Sequence, residues 1–393
     1  MVTQNRWLLP EGIEEILPPQ AGQLENLCRR IIDLYRSWGY QLVMPPMVEF
    51  LDSLLTGTGE DLDLQTFKLT DQMSGRMMGI RADTTPQVAR IDAHNLKRDM
   101  PNRLCYLGTV LHTRPENSGG SRSPLQVGAE LYGHAGLESE AESLCLMLET
   151  LKLAGVDDIH IDLGHVGIFE AIIKTTGLDD EQETELFSVL QRKASSELSG
   201  LIKQWSLPKK TGDMLRFLIN ACGDNTLLAE ANRKLAAASP EIKRCLKELK
   251  TLAELVRKRM PGAPLYFDLA ELRGYHYHTG VVFTAFVPGS GQGIAFGGRY
   301  DAIGAAFGRS RPATGFSTDI KTLMLFGKVG DAGQSAIFAP AKEDDRLNRK
   351  IATLRKKGEI VIRALPGQKA KAGLMGCDRK LVLKEGRWQV VKL

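Results

Sequence analysis

Residues 125–132 read LQVGAELY, and strand alternation puts Leu125, Val127, Ala129 and Leu131 on one face. Gln126, Gly128, Glu130 and Tyr132 then share the other. A glycine between an amide and a carboxylate leaves room for a small ligand over the sheet, with polar groups at both edges. The same pattern also fits a half-exposed strand with an apolar inner face. Within residues 76–83, Met77, Gly79, Arg81 and Asp83 share a face, and Thr85 opens the helical pattern that follows. Asp83 could accept from a ligand ammonium or cap that helix. ELRGYHYHTG at 271–280 sets Arg273 before a glycine, and then two tyrosines alternate with two histidines. A buried arginine among aromatics needs a carboxylate or phosphate partner. Two histidines are too few for a convincing metal site. The glycine-rich stretches at 289–293 and 297–301 match neither GxxxxGK[ST] nor the dinucleotide fingerprint. The first reads as a hairpin turn. The second allows close backbone approach, to a ligand or to another strand.

Elements to carry these residues follow from periodicity. Leu24, Leu27, Cys28, Ile31, Leu34 and Tyr35 recur at helical spacing over 23–38, with Gly39 as the stop and a short strand at 40–44. Residues 66–70 and 76–83 form a hairpin around 71–75, and 84–100 a helix capped by Thr84 or Thr85. Strands at 103–112 and 125–132 flank a polar loop at 113–123, and 139–154 is helical. From 164 to 260 the pattern is almost wholly helical, clearest at 179–190, 227–238 and 240–259. Strands return at 265–268, 280–287 and 294–296. Strands, a helical block and strands again predict an α+β fold, an antiparallel sheet with a helical insertion. Beyond 331 come a strand (336–339), a helix (344–357), a strand (359–364) and a hairpin turning at Glu385 and Gly386.

The 393 residues are 43% hydrophobic and 25% charged, ordinary globular proportions for two or three domains. No run of apolar residues is long enough for a membrane helix, and the N-terminus lacks the order of a signal peptide. The six cysteines stand far apart, without CxxC or metal spacing, so a disulfide framework or zinc site is not expected and the cytoplasm is. Net charge is +4 overall, but residues 331–393 carry +8, leaving −4 for the rest. A basic tail suits nucleic acid, an acidic partner or solvent.

Taken in order, six segments resemble the catalytic core of class II histidyl-tRNA synthetases. They are GYQLVMPPMVEF (39–50), IRADTTP (80–86), RLCYLGTV with RPENSGG and LQVGAELYG (103–133), ELRGYHYHTG (271–280), GGRYD (297–301) and RPATGFSTDIKTL (311–323). The likeness spans about 7–325, and the helical block falls where that family has its insertion. It implies a synthetase-like core over 1–325, with helices flanking the sheet and an insertion at about 165–260. A small basic α/β domain at 331–393 follows. It also implies a homodimer through 23–50, with Pro46 at that motif's proline position. Carried over position by position, Asp83 and Thr85 would receive the α-ammonium of histidine, with Gln126 beside them. Glu130 would accept from the imidazole and Arg273 would pair with the carboxylate. Tyr277 matches one tyrosine of the family's pair, whose second is His278 here, and Asp83 replaces a longer glutamate.

The departures decide the expected function. The motif 2 arginine position holds His112, and the motif 3 position holds Thr322, with Lys321 just before it. Arg114 or Arg122, in the loop between the two strands, could stand in for the first. Adenylation needs fixed cations around the phosphoryl centre. Each lost electrostatic donor costs about 10²–10³ in rate, or roughly 3–4 kcal/mol. A kept amino-acid pocket with lost ATP chemistry resembles the regulatory subunits of ATP phosphoribosyltransferase, which are synthetase paralogues. RGYHYHTG, GGRYD and RPATGFS are more similar to theirs, and the tail is too short for an anticodon-binding domain. That resemblance implies a chain without catalytic residues, cofactor, metal or tRNA. L-Histidine would be its effector and a short-form ATP phosphoribosyltransferase catalytic subunit its partner, in a hetero-oligomer for the first step of histidine biosynthesis. Feedback inhibition would pass through it, with 113–123 and 289–293 ordering on binding. The alternatives are a divergent histidyl-tRNA synthetase, a related amino-acid-adenylating ligase, or an RNA-binding module. The last is weakened by a tail whose only large rings are Phe338 and Trp388.

Overall fold

A computed structural model describes residues 7–57, 60–115, 120–235, 239–272, 277–328, 335–368 and 372–393, and it separates into two units, Met1–Val329 and Gly330–Leu393. Among the described residues, a nine-stranded sheet runs through the first unit. Its order is Gln41–Leu42, Asn102–Thr109, Leu125–Tyr132, Ala313–Asp319, Ala295–Arg299, Val281–Phe286, His160–His165, Leu265–Asp268 and Cys222–Gly223. Two pairings are parallel, 41–42 with 102–109 and 160–165 with 265–268, so the sheet is mixed where an antiparallel one was expected. Parallel neighbours require a long crossover. The helical insertion lies in that crossover for the second pair, between His165 and Leu265, and adds the edge strand Cys222–Gly223 to the sheet.

One face of the sheet is covered by helices Gln20–Ser37 and Leu137–Leu153, with the insertion helix Pro240–Arg259 packed on the latter. Leu27, Ile31 and Tyr35 of the first helix are fully buried there against Val127 and Ala129, the face the alternation marked as inward. Each such side chain contributes about 1.5–3 kcal/mol. The helix stops where Gly39 takes a left-handed φ of 84°, which costs any residue with a Cβ. The opposite face carries a smaller cluster of Val88, Ala89, Leu104, Tyr106, Tyr132, Tyr300 and Ile303.

Several boundaries differ from expectation. The 40–44 strand shrinks to Gln41–Leu42. The 103–112 strand stops at Thr109, because Val110, Leu111 and His112 donate to the carbonyls of Pro124, Arg81 and Arg122. The helix expected over 84–100 is an α-helix only at Thr85–Arg90. It widens into a π-helix at Ile91–Leu96 and ends at Lys97, whose φ is 49°. Strand His160–His165 gave no recognisable alternation, and Cys222–Gly223 lies inside the block read as helical. The hairpin at Phe67–Thr70 and Met77–Ile80 pairs as expected, with Val48–Phe50 as a third strand. Arg81, just beyond it, is buried and donates to the carbonyls of Pro45 and Thr109.

The second unit holds a four-stranded sheet in the order Ile360–Arg363, Ala336–Ala339, Cys377–Lys384, Arg387–Lys392. Helix Asp345–Lys356 seats Leu347, Ile351 and Leu354 on Ile337, Leu381 and Trp388. Glu385 and Gly386 both have positive φ, the geometry of a two-residue hairpin turn. All six cysteines are free, and among the described residues no helix is long and apolar enough to cross a membrane.

Candidate functional site

Glu130 stands opposite Leu104 on one neighbouring strand and Gly315 on the other, and is 1% exposed. Glycine is required at 315, since a Cβ there would lie 1.6 Å from Glu130 Oε2. Oε1 accepts from Thr85 Oγ1 at 3.2 Å and from the Tyr106 hydroxyl at 3.1 Å, while the Tyr300 hydroxyl donates to Oε2. Burial is the largest influence and pushes the carboxyl up to about 8; Asp83 adds to it and the hydroxyls oppose it.

The polar network continues along the start of helix Thr85–Arg90. Gln126 Nε2 donates to Asp83 Oδ1 at 2.7 Å, and Gln126 Oε1 accepts from the Thr84 amide at 3.0 Å. Asp83 Oδ1 also accepts from the Thr85 amide at 3.1 Å, so Asp83, rather than Thr84, closes the first turn. Among the described residues every hydrogen bond to the Asp83 carboxylate falls on Oδ1, none on Oδ2. The Thr85 hydroxyl bridges the two acids, 3.3 Å from Asp83 Oδ1 and 3.2 Å from Glu130 Oε1.

Tyrosines close the other side. The Tyr277 ring stacks on Tyr300 with centroids 5.0 Å apart, and its buried hydroxyl has no hydrogen-bond partner among the described residues. An unpaired buried hydroxyl costs about 1–3 kcal/mol and is relieved by a ligand that meets it. His278 sets its ring edge-on to Tyr277 at 5.4 Å, and Nδ1 contacts the Arg299 carbonyl at 3.1 Å. Burial lowers its pKa to about 4, so the ring is neutral and Nδ1–H donates to that carbonyl. His278 is thereby turned toward strand Ala295–Arg299, and it is Tyr300 that bonds Glu130.

Asp83, Thr85, Gln126 and Glu130 therefore meet in one network, with Tyr277 on its wall and His278 behind Tyr277. Arg273 lies outside the described residues, as do 116–119 of the loop expected to order on binding. Tyr106 and Tyr300 escaped the sequence reading. Register gives the signal for Tyr106: it stands opposite Gly128, where a Cβ would lie 2.4 Å from its hydroxyl. The space that Gly128 opens is filled by the Tyr106 ring, correcting the expectation that a ligand would sit there.

The two substituted arginine positions are engaged locally. His112 Nε2 pairs with the Ala82 carbonyl at 2.9 Å, and Thr322 Oγ1 donates to Asp319 at 2.9 Å. Arg122 donates to the carbonyls of His112 and Glu11, and Lys321 binds Glu14; Arg114 is exposed.

Comparison with known proteins adds to this geometry. Residues 12–323 match the histidyl-tRNA synthetase family, and residues 334–391 match the ATP phosphoribosyltransferase subunit HisZ C-terminal domain. The chain is 56% identical to the ATP phosphoribosyltransferase regulatory subunit of Thioalkalivibrio sulfidiphilus (strain HL-EbGR7), with both chains covered in full. The chain belongs to the ATP phosphoribosyltransferase regulatory subunit family. Its likeness to the regulatory subunit of Pseudomonas paraeruginosa (strain DSM 24068 / PA7) is 55%, again over the whole of both chains. An ATP phosphoribosyltransferase regulatory subunit/histidyl-tRNA synthetase from Bacillus halodurans C superposes with a TM-score of 0.82 at 27% identity, covering 94% of this chain and 96% of that one. Histidyl-tRNA synthetase from Nostoc sp. PCC 7120 shares the fold, with a TM-score of 0.80 at 17% identity over 98% and 97% of the two chains. The expected class II synthetase-like architecture is the one this regulatory-subunit family member has.

Proposed function

We propose that the chain is the non-catalytic, histidine-sensing subunit of ATP phosphoribosyltransferase and works in the cytoplasm. It pairs with a short-form catalytic subunit in the first step of L-histidine biosynthesis and passes feedback inhibition to it. The observation that carries this reading is the Asp83–Thr85–Glu130 network. An acid with one oxygen open suits an ammonium, a second acid buried among hydroxyls suits an imidazole N–H, and the unpaired Tyr277 hydroxyl offers a further contact. Arg273 would take the ligand carboxylate, and His278 orients the Tyr277 ring. The catalytic half is missing. His112 and Thr322 place no permanent charge where two guanidinium groups would meet ATP, which weighs against an adenylating ligase. The apolar side chains of Leu42, Met44, Met47 and Val48 are 37–82% exposed, which supports self-association through 23–50 within a larger hetero-oligomer.

Histidine regulates only if it binds one conformation of the complex better than the other, a coupling of about 1–3 kcal/mol in typical cases. The test is reconstitution. A short-form catalytic subunit should gain phosphoribosyltransferase activity on adding this chain, and histidine should inhibit the pair but not the catalytic subunit alone. Histidine-dependent ATP–pyrophosphate exchange by the isolated chain would instead establish the ligase.

A further inference from the structure

Behind the tyrosine wall lies a buried ion pair. Glu140, in the first turn of helix Leu137–Leu153, is 1% exposed, and Arg299, at the end of strand Ala295–Arg299, is 8% exposed. Arg299 Nε donates to Glu140 Oε1, Nη1 to Asp301 Oδ1 at 3.1 Å and Nη2 to the Ser139 hydroxyl at 3.2 Å. One guanidinium thus ties the start of the helix to the end of the strand. Removing one member of such a pair strands a buried charge, but replacing both by apolar side chains is often neutral or stabilising. Stability alone therefore gives no reason for the pair. The backbone it fixes does. The Arg299 carbonyl accepts from the Thr279 amide at 2.8 Å and from His278 Nδ1 at 3.1 Å. Tyr300, the next residue, puts its hydroxyl on Glu130 Oε2 and stacks its ring on Tyr277. The Asp301 amide donates to Thr279 Oγ1 at 2.9 Å, and Asp301 Oδ1 takes the Ala313 amide at 2.9 Å as well as Arg299. Two glycines permit this closeness: a Cβ at Gly280 would lie 3.2 Å from Arg299 Cβ, and one at Gly298 would lie 2.9 Å from the His278 ring.

We propose that Arg299 and Glu140 are positioning residues for the imidazole end of the histidine site. They hold Tyr300 on Glu130, and Tyr277 and His278 in the wall beside it, acting through these rings rather than on the ligand. The proposal rests on the histidine pocket described above. Asp83 belongs to a different element, the approach to helix Thr85–Arg90, so the ammonium end is positioned independently of the pair.

The experiment compares the full-length chain with two variants. Arg299→Met combined with Glu140→Leu removes the pair without stranding a charge, and Arg299→Lys keeps a cation beside Glu140 but loses the planar fork. Circular dichroism confirms the fold, and calorimetry measures L-histidine. Both variants should bind histidine about tenfold more weakly, the loss of one hydrogen bond. A second readout needs no histidine and would not move if the pair were merely structural. Facing Glu130, burial and Asp83 raise its pKa, and the Tyr300, Tyr106 and Thr85 hydroxyls lower it. Once Tyr300 slips away, Glu130 holds its proton to higher pH. The loss of urea stability assigned to this group, isolated by Glu130→Gln in each background, should then continue beyond pH 8 in the variants. Unchanged histidine affinity in a folded variant, or superimposable pH profiles, overturns the proposal. If the unaltered chain itself binds no histidine, the pocket reading fails, and the pH profile alone decides the role of the pair.

Discussion

Glu130 couples the pocket to pH. Its carboxyl titrates near 4.5 when exposed and near 8 in the fold, because burial disfavours the charge. Folded protein keeps a proton that unfolded chain releases in between. Stability from this group is therefore full below pH 4.5, falls by at most about 1.4 kcal/mol per pH unit up to 8, and is flat above. Glu130→Gln is neutral throughout and should lose this slope. Urea denaturation at pH 5 and pH 8 checks it: a fall in stability as large in the variant as in the unaltered chain would refute the assignment. Asp83 acts differently, through the oxygen left open at Oδ2. Asp83→Asn should weaken histidine binding by about 10–100-fold, the loss of one charge-assisted hydrogen bond, with little change in melting temperature. A binding constant within twofold of the original would remove Asp83 from the site. Both acids were legible in the sequence, because alternation and the motif order placed them. Tyr106 and Tyr300 were not, because which ring reaches a buried carboxylate depends on strand register and partners far along the chain.

At the scale of elements, strand Leu125–Tyr132 separates the helix-covered core from the pocket by side-chain alternation alone. Gly128 is where this separation is tightest, wedged between the Tyr106 ring and the Phe316 carbonyl, which a Cβ would approach to 2.7 Å. Gly128→Ala should destabilise the chain by about 1–3 kcal/mol and push Tyr106 off Glu130, weakening histidine binding together with stability. Denaturation and calorimetry on the same sample would show the paired loss, and an unperturbed pair would contradict the packing described. Turns were the most readable elements. Asp71–Gly75 and Glu385–Gly386 carry residue types that their geometry demands. Strand His160–His165 was hidden because both of its neighbours come from beyond the insertion, 265–268 and 281–286. Nothing local marks a strand whose partners lie about a hundred residues away. The π-turn at 91–96 was equally silent, since its residues suit an α-helix.

At the scale of the whole molecule, the described site residues all lie in the first unit, and the second has its own buried cluster around Ile337, Leu347 and Trp388. A chain ending at 328 should fold and bind histidine with unchanged affinity, which calorimetry on that fragment would measure; loss of binding would place part of the site in residues 330–393. The chain joins a synthetase-like fold to a pocket that carries His112 and Thr322 at the two arginine positions, and its sensing role requires that the amino acid bind unaided. Isothermal titration of L-histidine into the full-length chain at neutral pH, without nucleotide or catalytic subunit, decides this. Saturable heat at one histidine per chain, with affinity about 10–100-fold weaker in Asp83→Asn and no heat for histidinol, whose alcohol replaces the carboxylate that Arg273 would grip, is the expected result. No heat at millimolar histidine would contradict it.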